Sequence, residues 1–153
     1  MKIVSGVAAG VAAAIMACSV PASAAPMSQA EKLRRLDIML MVTGLRCRTT
    51  ADNFQGDYGR FTTRHITALN QASDAMKVDL AKRYGAAEAS RALDKLSVTM
   101  ANSYGQGHPW LNCAQLKQVA RGLADASGPE PLVAAADQLL APSGSLQFAW
   151  ARR

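Results

Sequence analysis

The side chains best suited to proton transfer, nucleophilic attack or metal binding are two histidines, His65 and His108, and three cysteines, Cys18, Cys47 and Cys113. Their spacing supports little chemistry. His65 falls on the apolar face of a long helical pattern, and no Ser, Cys or acidic partner is set beside it by spacing. It reads as a hydrogen-bonded core histidine rather than a general base. His108 lies in the loop Gly105-Gln106-Gly107-His108-Pro109-Trp110, whose two glycines and proline make a turn. Gly107, His108, Pro109 and Trp110 form the candidate surface site, with Trp110 anchoring the loop to the core beside Cys113.

Other constellations fall short of a motif. No H-E-x-x-H run places two histidines on one helix face, so no metal site is assigned. Asp52, Asn53 and Asp57 lack the one-three-five spacing, the central Gly and the closing Glu of a calcium loop, and helix capping accounts for them. Gly56, Gly59, Gly105 and Gly107 follow no strand and precede no GK[ST], which excludes a phosphate-binding fingerprint and leaves no cofactor to assign. No residue is assigned a catalytic role. Nucleic-acid binding is disfavoured by the scarcity of aromatics interleaved on a basic face.

The cysteines carry the sharper message. Residues 1–24 have a basic start at Lys2, an apolar run from Ile3 to Cys18, then Pro21 and Ala22-Ser23-Ala24, the pattern of a secretory leader cut after Ala24. The run is too short for a permanent membrane span. A competing pattern, Ile15-Met16-Ala17-Cys18, loosely matches a lipoprotein acylation site, but Met16 fits it poorly. With Cys18 removed, Cys47 and Cys113 remain as an even pair in an oxidising compartment, periplasmic or cell-surface. Without C-x-x-C spacing, the pair reads as a structural disulfide rather than a redox centre.

The elements that would position these residues are all helical. The stretch 33–48, LRRLDIMLMVTGLRCR, is apolar on nearly every face, which predicts a central helix. Ser28 and Glu31 stand in capping-box spacing at its start, and Gly44 offers a close approach to a neighbour. Phe54, Tyr58, Phe61, His65, Leu69, Ala72, Met76, Leu80 and Tyr84 recur in steps of three and four, predicting one long helix or two collinear ones. A third helix follows Gly85, carrying Ala89, Ala92, Leu93, Leu96, Met100 and Tyr104. A fourth spans roughly 111–126, and a fifth follows Ser127-Gly128-Pro129-Glu130. The tail 142–153 includes an alternation, Leu146 to Trp150, suited to a short strand or to an apolar-then-cationic contact ending at Arg152 and Arg153.

The chain of 153 residues has a net charge of +6, a modest basic balance compatible with an anionic envelope component or an envelope protein as partner. No basic cluster stands out in the sequence. The residues therefore predict an all-α single domain of four to five helices over 25–141, stapled by Cys47–Cys113. Oligomeric state is left open.

The segments LDIMLMVTGLRCR, DNFQGDYGRFTTRHITALN and SYGQGHPWLNC resemble a group of small exported proteins from sphingomonad-type alphaproteobacteria, often labelled "S-layer protein". The resemblance covers residues 33 to about 125. It implies an envelope-associated or periplasmic helical protein and carries over no catalytic residues. The leading expectation is an exported, non-enzymatic structural or interaction protein. The alternatives are an enzyme or small-ligand binder centred on His108 and Trp110, and a periplasmic chaperone exposing apolar surface at low pH.

Overall fold

The first helix sets the frame because its sequence has apolar side chains for several neighbours at once. In the computed structural model, which describes residues 26–140, α1 spans Gln29–Cys47. The leader, the acylation pattern and the tail with its strand alternation lie outside the described residues. Ser28 caps α1, its Oγ accepting from the Glu31 amide at 3.1 Å. The Glu31 carboxylate does not close a reciprocal box but accepts from Arg35 at 3.2 Å, one turn further on.

Four further helices follow: α2 (Gln55–Tyr84), α3 (Ala86–Ser103), α4 (Cys113–Asp125) and α5 (Glu130–Leu139). Among the described residues there is no strand, and no helix is long and apolar enough to cross a membrane. Helix α1 packs against all four others. It also departs from the sequence reading in having a solvent edge, where Met41 and Leu45 are 39% and 47% exposed. Four partners do not close around a full helix circumference, and this strip is what they leave uncovered.

The long α2 is a single helix of 30 residues, about 45 Å. Its buried positions Phe61, His65, Leu69, Ala72 and Met76 follow the predicted steps of three and four. Gly56 and Gly59 lie within its first turns without breaking it. Asn53 helps start the helix, its Oδ1 accepting from the Gln55 amide at 3.0 Å. Tyr84 departs from the predicted core stripe and is 61% exposed at the final turn. Gly85, at φ 87°, makes the one-residue reversal into α3.

Two apolar clusters hold the bundle. The larger gathers Leu36, Leu40, Phe54, Phe61, Leu116, Leu123 and Leu132 from α1, α2, α4, α5 and the loop before α2. The smaller joins Ile38, Met76, Leu93 and Met100 where α1, α2 and α3 meet. Gly44 serves the close approach that the sequence predicts. The Phe54 ring lies over its bare backbone, and a Cβ added there would stand 3.3 Å from Phe54 Cε2.

Cys47 and Cys113 are bonded, with Cα atoms 5.7 Å apart and a sequence separation of 66. The bridge ties the last residue of α1 to the first of α4. A loop of this length corresponds to a stabilisation on the order of 4 kcal/mol in the chain-entropy picture. Helix α4 starts two residues later than the sequence pattern suggests, because Asn112 and Gln115 form a reciprocal capping box that fixes its first turn.

Reduction of Cys47–Cys113 should lower the melting temperature by an amount matching a loss of about 2–4 kcal/mol, read by circular dichroism with and without reductant. Coincident melting curves would show that the bridge adds nothing. Replacing Gly44 with Val should cost about 1–3 kcal/mol through the Phe54 ring, measured by urea denaturation. A gain in stability would show that the ring can move aside.

Candidate functional site

The loop 105–110 is built by short contacts on either side. The Arg46 Nη1 donates to the Gly105 carbonyl at 2.9 Å, and the Gly107 amide donates to Tyr104 O at 2.9 Å. Gly107 takes φ 107°, a region that L side chains rarely adopt. His108 is thereby turned inward and buried. Its ring stacks on Tyr104 with centroids 6.2 Å apart, and Trp110 meets it edge-on at 4.6 Å.

Both nitrogens of His108 are engaged by backbone. Nδ1 receives the Trp110 and Leu111 amides at 3.4 and 3.2 Å, while Nε2 lies 3.1 Å from Leu139 O. An Nδ1 that accepts leaves the proton on Nε2, so the network assigns the neutral Nε2–H tautomer, donating to Leu139. Burial lowers the His108 pKa below its ordinary value, opposed by the bond to Leu139. Pro109 is exposed and Trp110 half-buried at the rim.

His65 does a parallel task elsewhere. It is buried against Phe61, with ring centroids 5.4 Å apart, and its Nε2 donates to Leu123 O at 2.8 Å near the end of α4. Beside it, Arg64 Nε donates to Ala126 O at 2.6 Å and Nη2 to Ser127 Oγ at 2.9 Å. The two histidines therefore serve different helix ends, His65 at α4 and His108 at α5. Among the described residues no carboxylate is hydrogen-bonded to either ring. Nor does any group of three or more His, Cys, Asp or Glu among them stand close enough to hold a metal ion.

Of the three residues expected to cap α2, Asn53 alone does so, while Asp57 lies inside the first turn and pairs with arginines instead. Asp57 Oδ1 accepts from Arg60 at 2.8 Å and lies 3.8 Å from Arg121. The Asp52 amide donates to Thr50 Oγ1 at 3.2 Å. A less expected polar contact joins α1 to α2, where Tyr58 donates to Asp37 Oδ1 at 2.9 Å. Arg34, 3.8 Å from Asp37, also donates to Ser97 on α3. Burial pushes the Asp37 carboxyl up, against the lowering by Tyr58 and Arg34, and burial likewise pushes the Tyr58 hydroxyl up.

Comparison with known proteins finds no matching family model, no similar curated protein and no similar solved structure.

The recess that sequence reasoning missed lies between the last turns of α2 and the first turns of α3. It encloses about 580 Å³ and is lined by Leu80, Arg83 and Tyr84 on one wall and Glu88, Arg91, Ala92, Lys95, Leu96 and Thr99 on the other. No residue of α1, α4 or α5 lines it. Arg91 pairs with Glu88 at 3.1 Å. Among the described residues, neither Arg83 nor Lys95 is paired with a carboxylate. The available signal was the helical spacing of Glu88, Arg91 and Lys95, which puts them on one side of α3.

The depressed His108 pKa fixes the sign of an acid effect. The unfolded chain takes up the proton first, so the stability tied to neutral His108 is complete above about pH 6.5. It is lost as pH falls from there toward the lower folded-state value. Melting temperatures should therefore drop between about pH 7 and pH 5, and His108→Phe should flatten that slope. An equal slope in the variant would clear His108 as its source.

Proposed function

We propose that the protein is an exported, non-enzymatic component of the periplasm or cell envelope that acts by binding, as its resemblance to small exported sphingomonad-type proteins implies. The observation that carries the reading is the use made of the histidines. His108 spends both ring nitrogens on backbone groups, and His65 gives its Nε2 to Leu123 O. A general base must reach a substrate proton, and these atoms are already engaged. The disulfide between Cys47 and Cys113 is compatible with an oxidising compartment.

The binding face in this reading is the α2–α3 recess, where apolar side chains stand beside Arg83, Arg91 and Lys95. It is concave, the kind of place where ligand clefts form. The loop at Gly107, His108, Pro109 and Trp110 then acts as a clamp on α5 rather than as a reaction centre.

Expression of the full chain with a photo-crosslinking residue in place of Ala92 tests the reading. The expected result is a mature, fully oxidised protein in the envelope or periplasmic fraction, with crosslinked adducts that a probe at Ser90 does not give. Cytoplasmic retention with Cys47 and Cys113 both reduced would defeat it.

A further inference from the structure

Helix α5 is attached unevenly to the rest of the bundle. Just before it, Arg64 on α2 holds Ala126 O at 2.6 Å and Ser127 Oγ at 2.9 Å. Gly128 follows at φ 80°, and the helix begins after Pro129 without a side-chain cap. Its ten residues then run about 15 Å to Leu139. Helix α1 is the one helix on which α5 packs extensively, and Leu132 and Ala136 are its buried residues. Among the described residues, two polar side chains reach it from other elements. Lys32 pairs with Asp137, and His108 donates to Leu139 O at 3.1 Å. A glycine pivot thus stands at one end of the helix and an imidazole clamp at the other.

Of these attachments, the imidazole is the one whose ordinary titration falls near neutral pH. Its Nε2–H is a donor in either charge state. Its Nδ1 receives the Trp110 and Leu111 amides only while that nitrogen is unprotonated. A proton on Nδ1 sets N–H against N–H, so the ring must leave its place against Tyr104 and Trp110, and Nε2 leaves Leu139 with it. The surroundings give the cation no partner. Arg35, paired with Glu31, lies beside Tyr104, and Arg46 donates to Gly105 O, both from α1. On α5, Asp137 is taken by Lys32. Burial lowers the His108 pKa and pushes the Tyr104 hydroxyl up, so the tyrosine stays neutral while the histidine titrates.

We propose that α5 is an acid-released flap, which pivots at Gly128 away from α1 when the His108 clamp opens while α1 to α4 stay folded together. The four remaining helices keep their own ties. The Ile38 cluster joins α1, α2 and α3, and the disulfide joins α1 to α4. Release uncovers Leu132, Ala136 and the side of α1 beneath the flap. Protonation and opening favour each other, because the freed ring regains its ordinary basicity.

Hydrogen exchange of the full-length oxidised protein, read by mass spectrometry and corrected for intrinsic rates, tests the flap. Amides of α5 should be at least about tenfold less protected than those of residues 61–76 in α2, because they exchange through a local opening. Between pH 7.5 and pH 5.5, α5 protection should fall about fivefold. The fall should lie between about pH 6.5 and the titration midpoint of the His108 ring in the folded protein, followed by nitrogen NMR. His108→Phe should abolish the fall, whereas Asp137→Asn should lower α5 protection at every pH and keep it. If His108→Phe does not fold, the ring midpoint in the native protein decides. Equal protection of α5 and α2 at every pH would show that α5 leaves only with the whole fold, and would overturn the proposal. So would α5 protection that is constant with pH, a fall that persists in His108→Phe, or one outside the interval set by the ring.

Discussion

A helix leaves its last carbonyls without partners in the helix itself, and much of this fold is organised by how those carbonyls are met. At α4, His65 donates to Leu123 O and Arg64 to Ala126 O, both reaching across from α2. At α5, His108 donates to Leu139 O. Just beyond α3, Arg46 from α1 donates to Gly105 O. Each contact satisfies a backbone acceptor and at the same time fixes one helix end against another element. The polar groups that look most like chemistry in the sequence are thus the ones that hold helix ends in register.

The apolar core complements this arrangement. Leu36, Met39 and Leu40 on α1 are fully buried, as are Phe61 on α2, Ala120 on α4 and Leu132 and Ala136 on α5. Burial of such side chains is worth roughly 1.5–3 kcal/mol each for the larger ones but carries no direction. Direction comes from the carbonyl contacts, from the disulfide between α1 and α4, and from ion pairs such as Lys32 with Asp137 at 2.6 Å, which relates α1 to α5. The Lys32–Asp137 pair is partly exposed and contributes little by itself. It does lie on the same helix that His108 clamps.

Most of the architecture was legible because it rests on local spacing. The step pattern through Phe61, His65, Leu69, Ala72 and Met76 is a helix signature, and Cys47 with Cys113 left a single pairing once Cys18 was assigned to the leader. The capping box at Asn112 and Gln115 was readable too, but the apolar residue Leu111 before it drew the boundary too early. Tyr84 was placed in the core because it continues the stripe. Periodicity says which side of a helix is apolar and not where the neighbouring helices stop covering it. The α2–α3 recess was illegible for the same reason. Arg83 and Lys95 belong to different helices, and only the reversal at Gly85 brings them to one recess.

That reversal also bears on the order in which the chain acquires its parts. Helices α2 and α3 are joined by a single glycine, so their mutual contacts span short stretches of sequence. The disulfide must instead bring together residues 66 positions apart. Local contacts form with the smaller loss of chain entropy and in general form sooner. The recess and the bridge also sit toward opposite ends of α2, since Phe54 packs on Gly44 near Cys47 while the recess begins at Leu80. The contacts between α2 and α3 thus lie close in sequence, whereas the bridge closes a loop across 66 positions.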